Sequence, residues 1–213
     1  MNYHERQETQ IIPFNFTKSR DFIPELSFPG GVTLDVIYQT KLVGVILDSS
    51  LIWGPHIEYT VTNATKKLWQ LIRFKNLGAC DEQLLTLYQL KIRCLLEFAA
   101  PAFHGALTVQ LSNDLEMVQK KAFAIILGSK YRSYRNALCL LSQDTLNSRR
   151  LELSRNFATK CLTNDRHSDL FLPNPRYTAK SSKRKFIEPK CNTSRYYKSA
   201  VPFLTRLLNN KDK

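Results

Sequence analysis

Phosphoryl transfer assisted by divalent metal needs clustered carboxylates, because one carboxylate neither holds the cation tightly nor fixes its geometry. The chain contains no adjacent Asp-Asp pair. Asp48 ends an apolar run without an acidic neighbour and, with Ser49 and Ser50, reads as the start of a turn. Gly30 and Gly31 follow Pro29 as a tight turn and the other glycines are isolated, so no phosphate-cradling loop is indicated. His4, His56, His104 and His167 are scattered. His104 lies near Cys94 and His167 near Cys161, but neither pair has a metal-ligand spacing or a third group to orient a nucleophile. Cys80, Cys94, Cys139, Cys161 and Cys191 are odd in number and far apart, the pattern of free thiols. No catalytic residue, metal ligand or cofactor is expected.

The remaining chemistry is cationic with aromatic residues interleaved. Residues 1–117 carry 10 Lys+Arg against 12 Asp+Glu, and residues 118–213 carry 21 against 6, so the whole positive excess lies in the second part. Such asymmetry implies an anionic partner, with nucleic acid ahead of a membrane surface. Two groups of residues carry it: Lys120, Lys121, Lys130, Tyr131, Arg132, Tyr134 and Arg135, then Lys183, Arg184, Lys185, Phe186, Lys190, Arg195, Tyr196, Tyr197 and Lys198. Cations neutralise phosphates while rings stack on unpaired bases. The candidate nucleic-acid-binding residues are therefore Lys120, Lys121, Lys130, Arg132, Arg135, Lys183, Arg184, Lys185, Arg195 and Lys198. A solvated basic face, with Tyr131 and Tyr134 at the edge of a core, is the plain alternative.

The elements that position these groups begin with short β-type segments: Ile11 to Phe16, Leu26 to Phe28, and Val32 to Tyr38 with its period of two. In Lys41 to Trp53, Leu42, Val43, Val45, Ile46 and Leu47 form a nearly continuous apolar run, read as one buried strand. Gly54-Pro55 opens a first helix with Ile57, Val61, Ala64, Leu68, Leu71 and Ile72 on one stripe, ended by Gly78. Asp81 caps a second, running through Leu84, Tyr88, Ile92 and Leu96 to Ala100, where Pro101 kinks or ends it. A third starts near Ser112 and ends at Gly128; Ser133 and Thr145 cap a fourth and a fifth, the fifth with Leu151, Phe157, Ala158 and Leu162 inward. Beyond Asp165 the pattern fades into a basic, largely irregular tail, with a last short helix at Val201 to Leu208. The expected class is α+β, mostly α: residues 1–49 a small antiparallel sheet, 50–165 a four- to five-helix bundle, and 166–213 the tail. The polar start MNYHERQETQ lacks the apolar core of a signal peptide and no run reaches 18 apolar residues, so an intracellular chain, nuclear or cytoplasmic, with no membrane span is expected.

KLVGVILDSSLIWGPHI (Lys41 to Ile57), ATKKLWQLIRFKN, IRCLLEFAAPAFHGALT and DLEMVQKKAFAIILG resemble the C-terminal part of reverse transcriptases of non-LTR, LINE-like (jockey-type) retrotransposons. In that family K-x-L-G-V-x-L-D followed by L-x-W and H-I marks the last palm strands. Lys41, Gly44, Val45, Leu47, Asp48, Leu51, Trp53, His56 and Ile57 match it, with Val43 where leucine is usual. Ile92 to Pro101 and Asp114 to Ala122 resemble the family's thumb motifs. The resemblance covers roughly residues 11 to 165 and, more loosely, the tail. It implies a palm remnant joined to a helical thumb that contacts a template-primer duplex of DNA or RNA-DNA. It also implies that the fingers, the catalytic aspartates and the endonuclease domain would lie before Met1, so the chain is expected to be a truncated RNA-directed DNA polymerase without activity of its own. Alternatives are a helical protein-protein interaction module, self-association through the incomplete sheet, or a genomic relic without a selected role.

Overall fold

The structure, a computed structural model, describes residues 10–14, 34–164, 166–175, 177 and 184–210. The chain divides into two compact units, residues 1–59 and 60–213. Lys183, among the candidate binding residues, and the segment Leu26 to Phe28 lie outside the described residues.

In the first unit β1 (Gln10–Ile11) pairs in parallel with β2 (Asp35–Val36), and β3 (Gln39–Leu42) pairs antiparallel with β4 (Val45–Asp48). The register sets Gln39 opposite Asp48 and Leu42 opposite Val45. The apolar run read as one buried strand is thus a hairpin folded at Val43 and Gly44. Both turn residues have positive φ, 48° and 85°, the sign that matches the right-handed twist of a two-residue hairpin. Gly44 takes that conformation freely whereas β-branched Val43 does not. The turn also carries Val43 into solvent at 83% exposure, against the expectation of burial. Of the described part of Val32 to Tyr38, residues 34–38, Asp35 and Val36 form strand. Asp48 Oδ1 accepts the Ser50 N–H at 2.9 Å, the turn role expected of it. His56 is buried, its Nδ1 accepts the Ile46 N–H at 3.4 Å, and burial lowers its pKa.

Helix α1 (Gly54–Asn76) ends where Gly78 adopts φ 89°. There the Ala79 N–H bonds to Phe74 O and the Gly78 N–H to Lys75 O, a Schellman closure. The second helix is three consecutive pieces: α2 (Asp81–Tyr88), a π-helical turn Gln89–Arg93, and α3 (Cys94–Glu97). Its N-cap is Cys80, one residue before the expected Asp81, because the Gln83 side chain reaches back to the Cys80 N–H at 3.1 Å. It stops at Glu97, earlier than expected, since the ring of Pro101 clashes with the carbonyl four residues before it. Left-handed Ala99 then leads into α4 (Ala100–Phe103), with the proline in its first turn.

Helix α5 (Val109–Leu127) starts three residues before Ser112, because Thr108 accepts the Leu111 N–H and caps it. Ser133 and Thr145 cap α6 (Tyr134–Leu140) and α7 (Leu146–Leu162) as expected. Helix α7 packs against α3, α4 and α5, and also against α9 (Ala200–Asn209), which follows α8 (Ser194–Lys198). Leu84, Ile92, Leu96, Leu115 and Ile126 are fully buried, each contributing about 1.5–3 kcal/mol by leaving water. The residues α7 buries fully are Leu146, Arg150, Ser154, Ala158 and Cys161; Leu151 and Leu162 pack partly buried against the same core, as expected with Ala158, whereas Phe157 is left 45% exposed. The residues expected as a tail pack into a core: Phe171, Phe186, Leu204, Leu207 and Leu208 join Ala158 and Cys161. A bridge between Pro173 and Phe186 and bonds from Asn209 to both backbone groups of Phe186 hold that segment down.

Candidate functional site

The first turns of α5 and α7 border a cleft of about 540 Å³ lined by residues that include Thr108, Ser112, Glu116, Lys120, Tyr134 and Asn147. Its floor is a polar network held by helix periodicity. Glu116, Gln119 and Phe123 follow the three- and four-residue spacing of α5 beside the apolar Leu115, Val118 and Ala122, so two polar side chains turn into the core. The Tyr134 hydroxyl donates to Glu116 Oε1, which also accepts the Leu146 N–H at 3.1 Å. Gln119 Nε2 donates to Tyr134 Oη at 2.8 Å and to Asp144 O at 2.9 Å, and its Oε1 accepts from the Tyr88 hydroxyl at 2.5 Å. Glu116 therefore supplies the negative charge at the amino end of α7, where the macrodipole favours it. Burial, then the bond to Glu116, raises the Tyr134 pKa, so the phenol stays a donor.

Arg150, on α7, has no surface accessible to solvent. Its Nη2 donates to Ser112 Oγ at 2.9 Å, while Nε and Nη1 have no hydrogen-bond partner. Burial lowers its pKa, and Glu116 and Glu97 oppose that effect. His104, also lining the cleft, is pushed down to about 4 by burial and by the Arg150 charge, so it is neutral near pH 7. A second set of charges lies between α3 and α7: Arg149 pairs bidentately with Glu97, to which Arg93 comes within 3.9 Å.

The candidate binding residues fall into two groups. Lys120 lines the cleft with its ammonium 5.2 Å from the centre of the Tyr134 ring, and Lys121, Arg132 and Arg135 are exposed around the α5–α6 junction. The other ring contact of Tyr134 is a stack on Phe123 at 6.2 Å, so this ring is occupied. Lys130 differs from expectation, being tied to Asp81 at 2.7 Å because Asp81 sits in the exposed first turn of α2. In the C-terminal segment Arg184 comes within 3.8 Å of Glu188, Lys185 lies over Phe186, and Arg195 and Lys198 project from α8. Helix α8 packs against the turn His104–Ala106, so the element carrying Arg195 and Lys198 lies beside the turn that supplies His104 to the cleft. Among the described residues Lys120, Lys121, Arg132, Arg135 and Lys198 make no ion pair.

Sequence reasoning missed Glu116, Gln119 and Arg150. The available signal was their position: each lies at a helical spacing from core residues, where a polar side chain must find partners. Among the described residues no group of three His, Cys, Asp or Glu is placed to hold a metal ion, and no helix is long and apolar enough to cross a membrane. No family model, curated protein or solved structure matches this chain.

Proposed function

We propose that the chain is a nucleic-acid-binding remnant of a non-LTR retrotransposon reverse transcriptase, its helical unit acting as the thumb and holding a template-primer duplex without sequence preference. The observation that carries this reading is the set of unpaired cations, Lys120, Lys121, Arg132, Arg135 and Lys198, grouped at the α5–α6 junction and on α8. Cations held by a carboxylate have little left to offer a phosphate, and these are not so held. The order of the motifs along the sequence supports the ancestry. The reading assigns no polymerase activity to the chain alone, since the sequence lacks the paired aspartates such chemistry uses.

Phosphate contacts release counterions, so log affinity falls linearly with log salt, by about 0.9 per phosphate neutralised on a duplex. Fluorescence titration with a primer-template duplex at rising salt is expected to show that line. Replacing both Lys120 and Lys121 by Ala is expected to flatten the slope by about 2, one unit per lost contact, with an unchanged Tm. Absence of binding at low salt defeats the reading.

A second reading, a protein-interaction module, draws on the end of α1, where Trp69, Ile72 and Phe74 and, just beyond the helix, Leu77 are exposed at 57%, 44%, 49% and 79%. Exposed large apolar side chains gathered on one helix end are what a partner surface would cover. Light scattering after size exclusion separates the two: a monomer that binds duplex supports the first, an oligomer indifferent to nucleic acid the second.

A further inference from the structure

Residues 1–117 carry 10 Lys+Arg against 12 Asp+Glu, yet the second half of α1 runs against that balance. Between Glu58 and Asp81 the chain holds Lys66, Lys67, Arg73 and Lys75 and no acidic residue. Lys75 is engaged: its ammonium donates to the Ile125 and Ile126 carbonyls, the latter at 3.1 Å, and so ties the end of α1 to the end of α5. The outer face of the helix is open. Lys66, Trp69, Ile72, Arg73 and Asn76 follow the three- and four-residue spacing of one helical face and all are exposed, while Ala64, Leu68 and Leu71 of the same helix are buried.

The Arg73 guanidinium lies 4.7 Å from the centre of the Trp69 ring, which still keeps 57% of its surface exposed. Lys66 stands one turn before the ring and Arg73 one turn after it, so about 10 Å of helix axis presents a cation, an indole and a second cation. Neither cation makes an ion pair among the described residues. Charge selects what such a face can hold. A second copy of the chain would set cations against cations. A nucleic-acid strand supplies an anionic phosphate and an aromatic base in every unit, and a ring flanked by cations matches both. The strand must be unpaired, because the bases of a duplex are stacked on one another and cannot cover the indole. A guanidinium stacked on a ring keeps its edge donors for phosphate.

We propose that the outer face of α1 binds single-stranded nucleic acid without sequence preference, an unpaired base stacking on Trp69 and the flanking phosphates held by Lys66 and Arg73. The site uses none of the residues assigned to the duplex and does not rest on that reading.

The full chain is titrated with labelled oligo(dT), with an abasic strand of the same length and charge, and with a blunt duplex, all at one low salt concentration. The wild type is expected to bind oligo(dT) more tightly than the abasic strand. Trp69→Ala is expected to raise the oligo(dT) Kd about tenfold or more, roughly 1.4 kcal/mol, and to leave the duplex Kd unchanged. Trp69→Phe, which keeps a ring, is expected to recover part of the loss. Should Trp69→Ala fail to fold, Trp69→Gln, suited to an exposed helical position, takes its place with the same expectation. Equal binding of oligo(dT) by wild type and variant overturns the site, and so does equal binding of oligo(dT) and the abasic strand. An oligomer by light scattering that Trp69→Ala converts to a monomer also overturns it, since the face then belongs to a protein contact. A chain that ignores duplex but binds oligo(dT) through Trp69 supports this site while defeating the duplex reading, and the converse defeats this site alone.

Discussion

At the scale of single residues, the polar core of the helical unit turns on charge placement. His104 is neutral in the folded chain because burial and Arg150 both disfavour its protonated form, which brings its pKa down to about 4. An unfolded histidine titrates near 6.5. Between those values the unfolded chain binds the additional proton, so the stabilisation is present in full above about pH 6.5 and is lost as pH falls toward about 4. Tm is therefore expected to fall steadily from pH 7 to pH 4. His104→Gln, which removes the titration, is expected to make that fall shallower; an identical profile rejects His104 as a contributor. The remaining slope includes His56, whose pKa is lowered in the same direction.

At the scale of elements, the docking of α9 depends on a glycine. A Cβ at Gly105 meets the Phe203 side chain at 2.5 Å and the Lys198 carbonyl oxygen at 2.9 Å, and neither is the far end of a flexible side chain. Gly105→Ala is thus expected to push α9 away from the His104–Ala106 turn at a cost of about 1–3 kcal/mol. Denaturant unfolding measures the cost, and an unchanged midpoint contradicts the contact. The caps tell the opposite story, since Ser133, Thr145 and Gly78 act through bonds to their immediate neighbours and were legible in order of sequence. The helix faces were legible where the residues are apolar, as with Leu84, Tyr88, Ile92 and Leu96. They were not legible on α7, where Arg150 and Ser154 hold inward positions that a pattern of hydrophobicity assigns to solvent.

At the scale of the whole molecule, the C-terminal segment belongs to the helical unit. Phe171, Phe186, Leu204, Leu207 and Leu208 bury their side chains on α7, which by area represents on the order of 10 kcal/mol. That matches the net stability of a typical domain. A chain ended after Thr163 is expected to lose cooperative unfolding and its near-UV circular dichroism, while a full-length melting profile in the truncated chain shows the segment to be dispensable. Basic composition alone hid this, because the apolar residues of residues 166–213 are spread among 12 Lys+Arg and four prolines that break any period.

What the sequence determined by itself is local or additive: the caps at Ser133 and Thr145 and the stop at Gly78, the mostly helical α+β class, and a charge imbalance confined to residues 118–213. Capping bonds and net charge need no knowledge of distant residues. Only the tertiary structure decided that Leu42 and Val45 face each other across a hairpin, that Glu116 meets Tyr134 and the α7 backbone, that Arg150 is buried beneath Ser112, and that the tail closes a core. Each depends on which surfaces come together. A buried charge, or a β-branched residue held in a left-handed turn, is disfavoured locally and is sustained only by the rest of the fold.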